Sequence, residues 1–169
     1  MTPQQLATLK TYILAQPDLS SEPMNGDGHF NIAVKLNIQA TPDAFTWKNR
    51  GEVNLGEIMG NGYVYDRIDN LTVGRARIWD EIKTALNLGE FTANSTNHRA
   101  GITSAFNQAA DSGMRLAIFG HMQRFASRFE RLYTASNGAT TNDAGVGPIA
   151  LVVPGPVTPF DVESARTLP

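Results

Sequence analysis

The stretch from Met114 to Tyr133, MRLAIFGHMQRFASRFERLY, constrains this chain more than any other. Ile118, Met122, Phe125, Phe129 and Leu132 recur at steps of four, three, four and three, which puts one apolar stripe along a helix. A stripe of that kind needs a partner surface, so the spacing predicts a long core helix. Arg115, Arg124, Arg128 and Arg131 lie off the stripe, four cations against the single Glu130. After Tyr133 the pattern stops at Thr134-Ala135-Ser136-Asn137-Gly138, with a glycine where a helix C-cap favours one.

A chain of 169 residues is long enough to bury a core without staples. Its 41% hydrophobic and 18% charged content is that of a globular protein. The formal net charge of −2 lacks the basic excess of a protein whose whole surface binds nucleic acid. With no cysteine there is no disulfide framework, thiolate nucleophile or cysteine-ligated metal. No window approaches the roughly 18 apolar residues of a membrane span, and the start MTPQQLATLK has no basic region followed by an apolar run. The expectation is a soluble protein without a secretion signal.

Helix signals recur along the chain. Thr2-Pro3-Gln4-Gln5 combines a capping residue, a proline for the first turn and a capping-box glutamine. Leu6, Leu9 and Ile13 follow on one face, and Pro17 sets the end near Ala15. Pro17 to Gly28 reads as a loop, after which Asp27 is placed to cap a helix with Phe30, Ala33, Val34 and Leu36. Asp43 to Arg50 reads as irregular or extended, and Tyr63-Val64-Tyr65 as a short strand. Thr72 starts a helix with Ile78, Trp79, Ile82, Ala85 and Leu86 on one face, closing at Gly89. Asn94 to Asn97 caps another, with Ile102, Ala105, Phe106 and Ala109. The fold class is therefore mainly α: a compact bundle of about five helices over residues 1–135, with an extended C-terminal arm over 136–169. Within the arm, Ile149-Ala150-Leu151-Val152-Val153 is a short strand-like run, and Thr158 to Asp161 has capping-box spacing.

No motif carries chemistry. His29, His98 and His121 are isolated, Asn25-Gly26-Asp27-Gly28 lacks the later glutamate of a calcium loop, and Gly60-Asn61-Gly62 is neither a dinucleotide fingerprint nor a Walker loop. Asp80 and Glu81 are neighbours on a helix and do not face each other. No catalytic, cofactor or metal residue is assigned, and the chain reads as a non-enzyme. Two partner surfaces are. Arg124, Arg128 and Arg131 share a helix face and, with Arg115, can meet a neighbouring subunit, DNA phosphates or solvent. Ile149, Leu151, Val152, Val153 and Phe160 give the arm apolar residues for strand addition to another chain, or for folding back onto its own body.

The opening Thr2-Pro3-Gln4-Gln5-Leu6 with Leu9-Lys10 and Ala15-Gln16-Pro17, the central Arg77-Ile78-Trp79, the exit from Arg124 to Gly138, and the final Asp161-Val162-Glu163-Ser164-Ala165 together resemble a family of small tailed-bacteriophage proteins. The likeness covers most of the chain. It departs where Pro154-Gly155 replaces an acidic-glycine pair and where the 137–148 loop is longer. The resemblance implies a virion structural protein assembled in the host cytoplasm. By fold-level analogy it is most similar to a head–tail connector adaptor, a homo-oligomeric ring, dodecameric in such proteins, below the portal. The implied partners are the portal and neighbouring neck proteins, through the arm, with genomic DNA only passing through the channel and no membrane. A capsid decoration or tail-completion protein is the alternative within that class. A small phage factor acting on nucleic acid or on the host is the alternative outside it.

Overall fold

The structure, a computed structural model, describes all residues except 135–137 and 152–154. Among the described residues the chain is mainly α, as the patterning predicts. In order, its elements are α1 (Pro3–Ala15), α2 (Pro17–Ser20), α3 (Gly26–Leu36), β1 (Phe45–Trp47), α4 (Leu55–Gly60), α5 (Tyr65–Asp69), α6 (Val73–Asn87) and α7 (Thr96–Ala105). A 3-10 turn (Ala109–Asp111) leads into α8 (Ser112–His121), β2 (Gln123–Phe125), α9 (Arg128–Leu132) and α10 (Pro159–Arg166). No helix among the described residues is long and apolar enough to cross a membrane. The chain forms two compact units, each assembled from separated stretches of sequence.

The first unit comprises Met1–Ala44, Phe125–Ala135 and Leu151–Pro169. Its N-terminus is the predicted capping box: Thr2 Oγ1 accepts from Gln5 N at 3.2 Å, and Gln5 Oε1 from Thr2 N at 2.8 Å. Helix α3 begins two residues earlier than expected, because Asn25 rather than Asp27 caps it, with Oδ1 accepting from Gly28 N at 3.0 Å. Gly28 is obligatory there, since a Cβ would lie 2.0 Å from the Pro23 carbonyl oxygen. Helix α10 has the predicted Thr158–Asp161 box, with both reciprocal bonds formed. It packs against α1 and α3. The core is Leu9 and Ile13 of α1, Ile32, Ala33 and Leu36 of α3, Leu19, Phe129, Val157, and Val162 and Ala165 of α10.

Tyr133 closes one side of this core, its hydroxyl donating to the Gln5 carbonyl at 3.0 Å. Burial, and then the negative charge of Asp161, push its phenol above the ordinary value of 10.0. A phenol held neutral in the folded state favours folding below its unfolded pKa, and that contribution is lost as pH rises through the folded value. The urea midpoint of this unit is therefore expected to fall as pH rises above about 10. Tyr133→Phe should flatten that alkaline limb; an unchanged limb in the variant would contradict the assignment.

The second unit comprises Phe45–Arg124 and Ser136–Ala150. Both tryptophans, Trp47 and Trp79, are buried in it, with Ile58, Ile82, Leu86, Phe91, Ile102, Phe106, Ile118, Phe119 and Met122. Helices α6 and α7 form its main packed pair. Close approach is possible because Gly101 stands where a Cβ would be 3.3 Å from Ile82 Cδ1. The Trp79 indole N–H donates to Tyr63 Oη at 3.0 Å, and its ring meets Phe106 edge-on at 5.0 Å. Helix α6 closes at Gly89, φ +66°, as predicted, although Thr72 at its start makes no side-chain cap bond. Strands β1 and β2 pair into a two-stranded sheet.

Several expectations are corrected. First, Met114 to Tyr133 is a helix, a strand and a second helix rather than one long helix. Ser127 and Glu130 form a capping box, Ser127 Oγ accepting from Glu130 N at 3.1 Å and Glu130 Oε2 from Ser127 N at 2.9 Å, which starts a new helix at Arg128. Just before it the backbone is extended and bonded to distant chain: Ala126 N donates to Ala44 O at 2.8 Å, and Arg128 N to Ile38 O at 2.9 Å. The apolar stripe thus serves two cores, Ile118 and Met122 in one unit and Phe129 in the other, while Phe125 is half exposed.

Second, the division at residue 135 is not the one the structure draws. Val157, Val162 and Ala165 of the expected arm are core residues of the first unit. Ile149 is buried in the second, where its N–H donates to Phe45 O at 2.8 Å and its carbonyl accepts from Thr46 Oγ1 at 2.8 Å. The strand-like run therefore starts by pairing with β1 of its own chain, in a parallel bridge between Ile149 and Thr46. Leu151 is half-buried, and Val152 and Val153 lie outside the described residues. Third, Tyr63 to Tyr65 is not a strand but the approach to α5, and Pro17–Ser20 is a helical turn rather than loop.

Candidate functional site

The arginines singled out by the sequence have separate fates. Arg115 of α8 is a fastening within the second unit. Its Nε donates to Asp143 O at 2.9 Å, its Nη2 to Asp143 Oδ2 at 2.7 Å, and its Nη1 to the carbonyls of Phe106 at 2.5 Å and Gln108 at 2.9 Å. The hydroxyl of Ser112, and then the guanidinium of Arg115, hold the Asp143 carboxyl below its usual range. Arg124 stands 3.8 Å from Glu52, a looser pair.

Arg128 and Arg131 are brought together. They lie three residues apart on α9, so both reach one side of that short helix, and with Leu132 they form one wall of a cavity of about 500 Å³. Tyr12 and Gln16, one turn apart at the end of α1 and off its Leu9/Ile13 core stripe, form the second wall. Ala40 and Thr41 close the third, where Thr41 precedes Pro42 across a cis peptide. All of these residues belong to the first unit.

One member of this wall is held rigidly. Arg128 Nη1 donates to Asp18 Oδ2 at 2.8 Å and Nη2 to Asp18 Oδ1 at 3.4 Å, a two-pronged arrangement suited to the planar guanidinium. Its guanidinium carbon lies 6.0 Å from the centre of the Tyr12 ring, within range of a cation–π contact. The hydrogen bond to Asp18 raises the Arg128 pKa, and the same bond holds the Asp18 carboxyl below its usual range. Both side chains are partly exposed, so the pair orders the guanidinium more than it stabilises the fold. The lining mixes the apolar Ala40 and Leu132 with two guanidiniums, a phenol, a carboxamide and a hydroxyl, one guanidinium being paired with Asp18.

A second concavity, of about 400 Å³, lies between α6 and α7, lined chiefly by Ile78, Ile82, Phe91, His98 and Gly101. His98 is tied down in it: its ring stacks on Phe91 at 4.8 Å and Nδ1 lies 3.0 Å from Thr92 N. His121 Nε2 is 3.2 Å from the Asn61 carbonyl oxygen, and His29 is buried in the first unit. Among the described residues, no group of three histidine, aspartate or glutamate side chains converges as a metal site would require.

Phe160, assigned to the arm's docking surface, is 73% exposed on α10. Further large apolar side chains are exposed on the first unit. Phe30 is 58% exposed, Val34 and Ile38 are about half exposed, and the three recur at steps of four along the outer side of α3 and just past its end. Their opposite number is the buried face of His29, Ile32, Ala33 and Leu36. The signal was present, since α3 is apolar at more positions than one buried face can use. Tyr12, Gln16 and Thr41 carried no such signal; only the fold brings them to Arg128 and Arg131.

No protein-family model matches the chain, and neither does a curated protein or a solved structure.

Proposed function

We propose that this protein is a structural component of a tailed-phage virion, most specifically a head–tail connector adaptor that works by contacts among its own copies and with the portal. The observation that carries this reading is the row of Phe30, Val34 and Ile38 on α3, exposed in a unit whose core is already filled from the opposite face of the same helix. Single exposed apolar side chains are ordinary on a protein surface, but a row along one helix marks a contact surface. In a closed ring each copy presents two different faces to its neighbours, so an apolar row on one copy packs against a separate surface of the next. Docking through a loose C-terminal arm is not part of this proposal, because Val157, Val162 and Ala165 contribute to the first unit's own core. The modest net charge of −2 suits a channel wall over which DNA slides rather than binds. Negative-stain imaging of the chain mixed with purified portal tests the assignment. Rings, formed alone or only on the portal, are the expected result. Binding of single copies to intact shells, with no ring in either sample, would replace it with a decoration role.

A further inference from the structure

We propose that Asn61 is a site of self-modification, its side-chain amide converted to aspartate and isoaspartate by the backbone nitrogen of Gly62 with help from His121. The chain contains three Asn-Gly pairs, Asn25-Gly26, Asn61-Gly62 and Asn137-Gly138, and Asn137 lies outside the described residues. Glycine after asparagine has no Cβ to shield its peptide nitrogen, so such pairs are the chemically vulnerable ones. The fold treats the other two pairs differently.

Asn25 is held. Its Oδ1 accepts from Gly28 N at 3.0 Å as the cap of α3, and Gly26 is the first residue of that helix. Attack there must first break the cap and unwind the helix start. Asn61, just past α4, is under no such restraint. Among the described residues its side chain makes no hydrogen bond and the Gly62 N–H donates to no acceptor, and both residues are exposed. Packing also keeps the glycine in place: its φ is +82°, and a Cβ would lie 2.3 Å from Ala117 Cβ of α8.

His121, at the end of α8, supplies the activation. A carbonyl oxygen only accepts, so the 3.2 Å contact from Nε2 to Asn61 O makes Nε2 the protonated nitrogen. That oxygen belongs to the same peptide group as the Gly62 nitrogen. When the nitrogen loses its proton to solvent base, its charge delocalises onto the oxygen, where the imidazole N–H stabilises it. The nitrogen then attacks Asn61 Cγ. A C–N bond forms, the Cγ–Nδ2 bond breaks, and the leaving nitrogen takes a proton from water to depart as ammonia. Water opens the cyclic imide at either carbonyl, giving aspartate, or isoaspartate with the main chain routed through the side chain. The balance is water consumed and ammonia released, with no oxidation.

Peptide mass spectrometry of the full chain, incubated at mildly alkaline pH in buffer and separately in urea, tests the proposal. In buffer, Asn61 is expected to convert about fivefold or more faster than Asn25, with isoaspartate among its products. In urea the cap and the imidazole contact are both lost, and the two rates should converge. His121→Phe, which keeps a ring but removes the donor, should slow Asn61 by about fivefold in buffer and leave it unchanged in urea. His121→Gln, which keeps an N–H donor, should retain most of the rate. Equal rates at Asn25 and Asn61 in buffer would overturn the proposal, as would conversion of Asn61 to aspartate without isoaspartate, the mark of direct hydrolysis. A His121→Phe chain with native circular dichroism and an undiminished rate, or an equal loss in His121→Gln, would overturn the part assigned to the imidazole.

Discussion

A chain ending at Leu151 is expected to lose the fold of the first unit, seen as loss of the α1 and α3 contribution to the far-ultraviolet circular dichroism. Val162 and Ala165 are fully buried and Val157 is 3% exposed, and all three pack with Leu9, Ile13, Ile32 and Leu36. Removing them deletes their own burial and exposes the side chains they cover. Each large aliphatic side chain involved accounts for about 1.5–3 kcal/mol on complete burial. A handful of these exceeds what a small unit retains, because whole domains are stable by only about 5–15 kcal/mol. Polar fastenings go as well: Asn37 Nδ2 donates to Val157 O at 2.9 Å, and Arg166 Nη2 to Glu22 O at 2.8 Å. Circular dichroism close to that of the full chain would show instead that α10 is dispensable, as an arm would be.

Asp111→Asn is expected to destabilise the second unit by about 3–5 kcal/mol, the usual cost of leaving a buried charge without its partner. Asp111 is 2% exposed, and its Oδ2 accepts from Arg75 Nη2 at 2.7 Å and from Gln108 N at 3.1 Å. Arg75 also donates through Nε to the Ala105 carbonyl at 2.6 Å, so one guanidinium joins α6 to the end of α7 and to the turn before α8. Neutralising the carboxylate leaves a mostly buried cation facing a weak acceptor. Urea unfolding followed by tryptophan emission reads this directly, since both tryptophans are buried in this unit. Replacing both partners together, Arg75→Met with Asp111→Leu, should restore most of the loss, because an apolar pair of similar volume removes the desolvation cost on both sides. A single variant within about 1 kcal/mol of the wild type would mean that the buried pair contributes little net stability.

Local chemistry made much of the fold legible. Thr2–Gln5 and Thr158–Asp161 satisfy orphan helix N–H groups within four residues of sequence, so their capping boxes form as the residue types dictate. The end of α1 before Pro17 and the close of α6 at Gly89 rest on equally local sterics. Met114 to Tyr133 departs from its spacing for a different reason. Spacings of three and four describe a helix, but here they span a helix, a strand and a second helix whose apolar residues enter two cores. The Ser127–Glu130 box marked the restart at Arg128, and the stripe concealed it. Periodicity reports which residues are apolar, not which core receives them.

The C-terminal segment was illegible for a related reason. Val157, Val162 and Ala165 are too few to form a core alone, and their partners stand more than a hundred residues earlier in α1 and α3. The arginine cavity shares that property. Arg128 and Arg131 were visible as a pair on one helix face, whereas Asp18, Tyr12, Gln16 and Thr41 meet them only through long-range packing. That packing also changes the meaning of the arginine set: Arg115 holds its own unit together, and Arg128 and Arg131 line a recess.

The proposed role requires the protein to assemble through its apolar surface. Light scattering coupled to size-exclusion chromatography measures this most directly, on the wild type and on a Phe30→Asp/Val34→Asp variant, each with and without purified portal. The wild type is expected to give a mass several times that of the 18.3 kDa chain, alone or on the portal, and the variant to remain at the mass of one chain. A wild type that stays at the mass of a single chain under every condition, indistinguishable from the variant, would contradict the account.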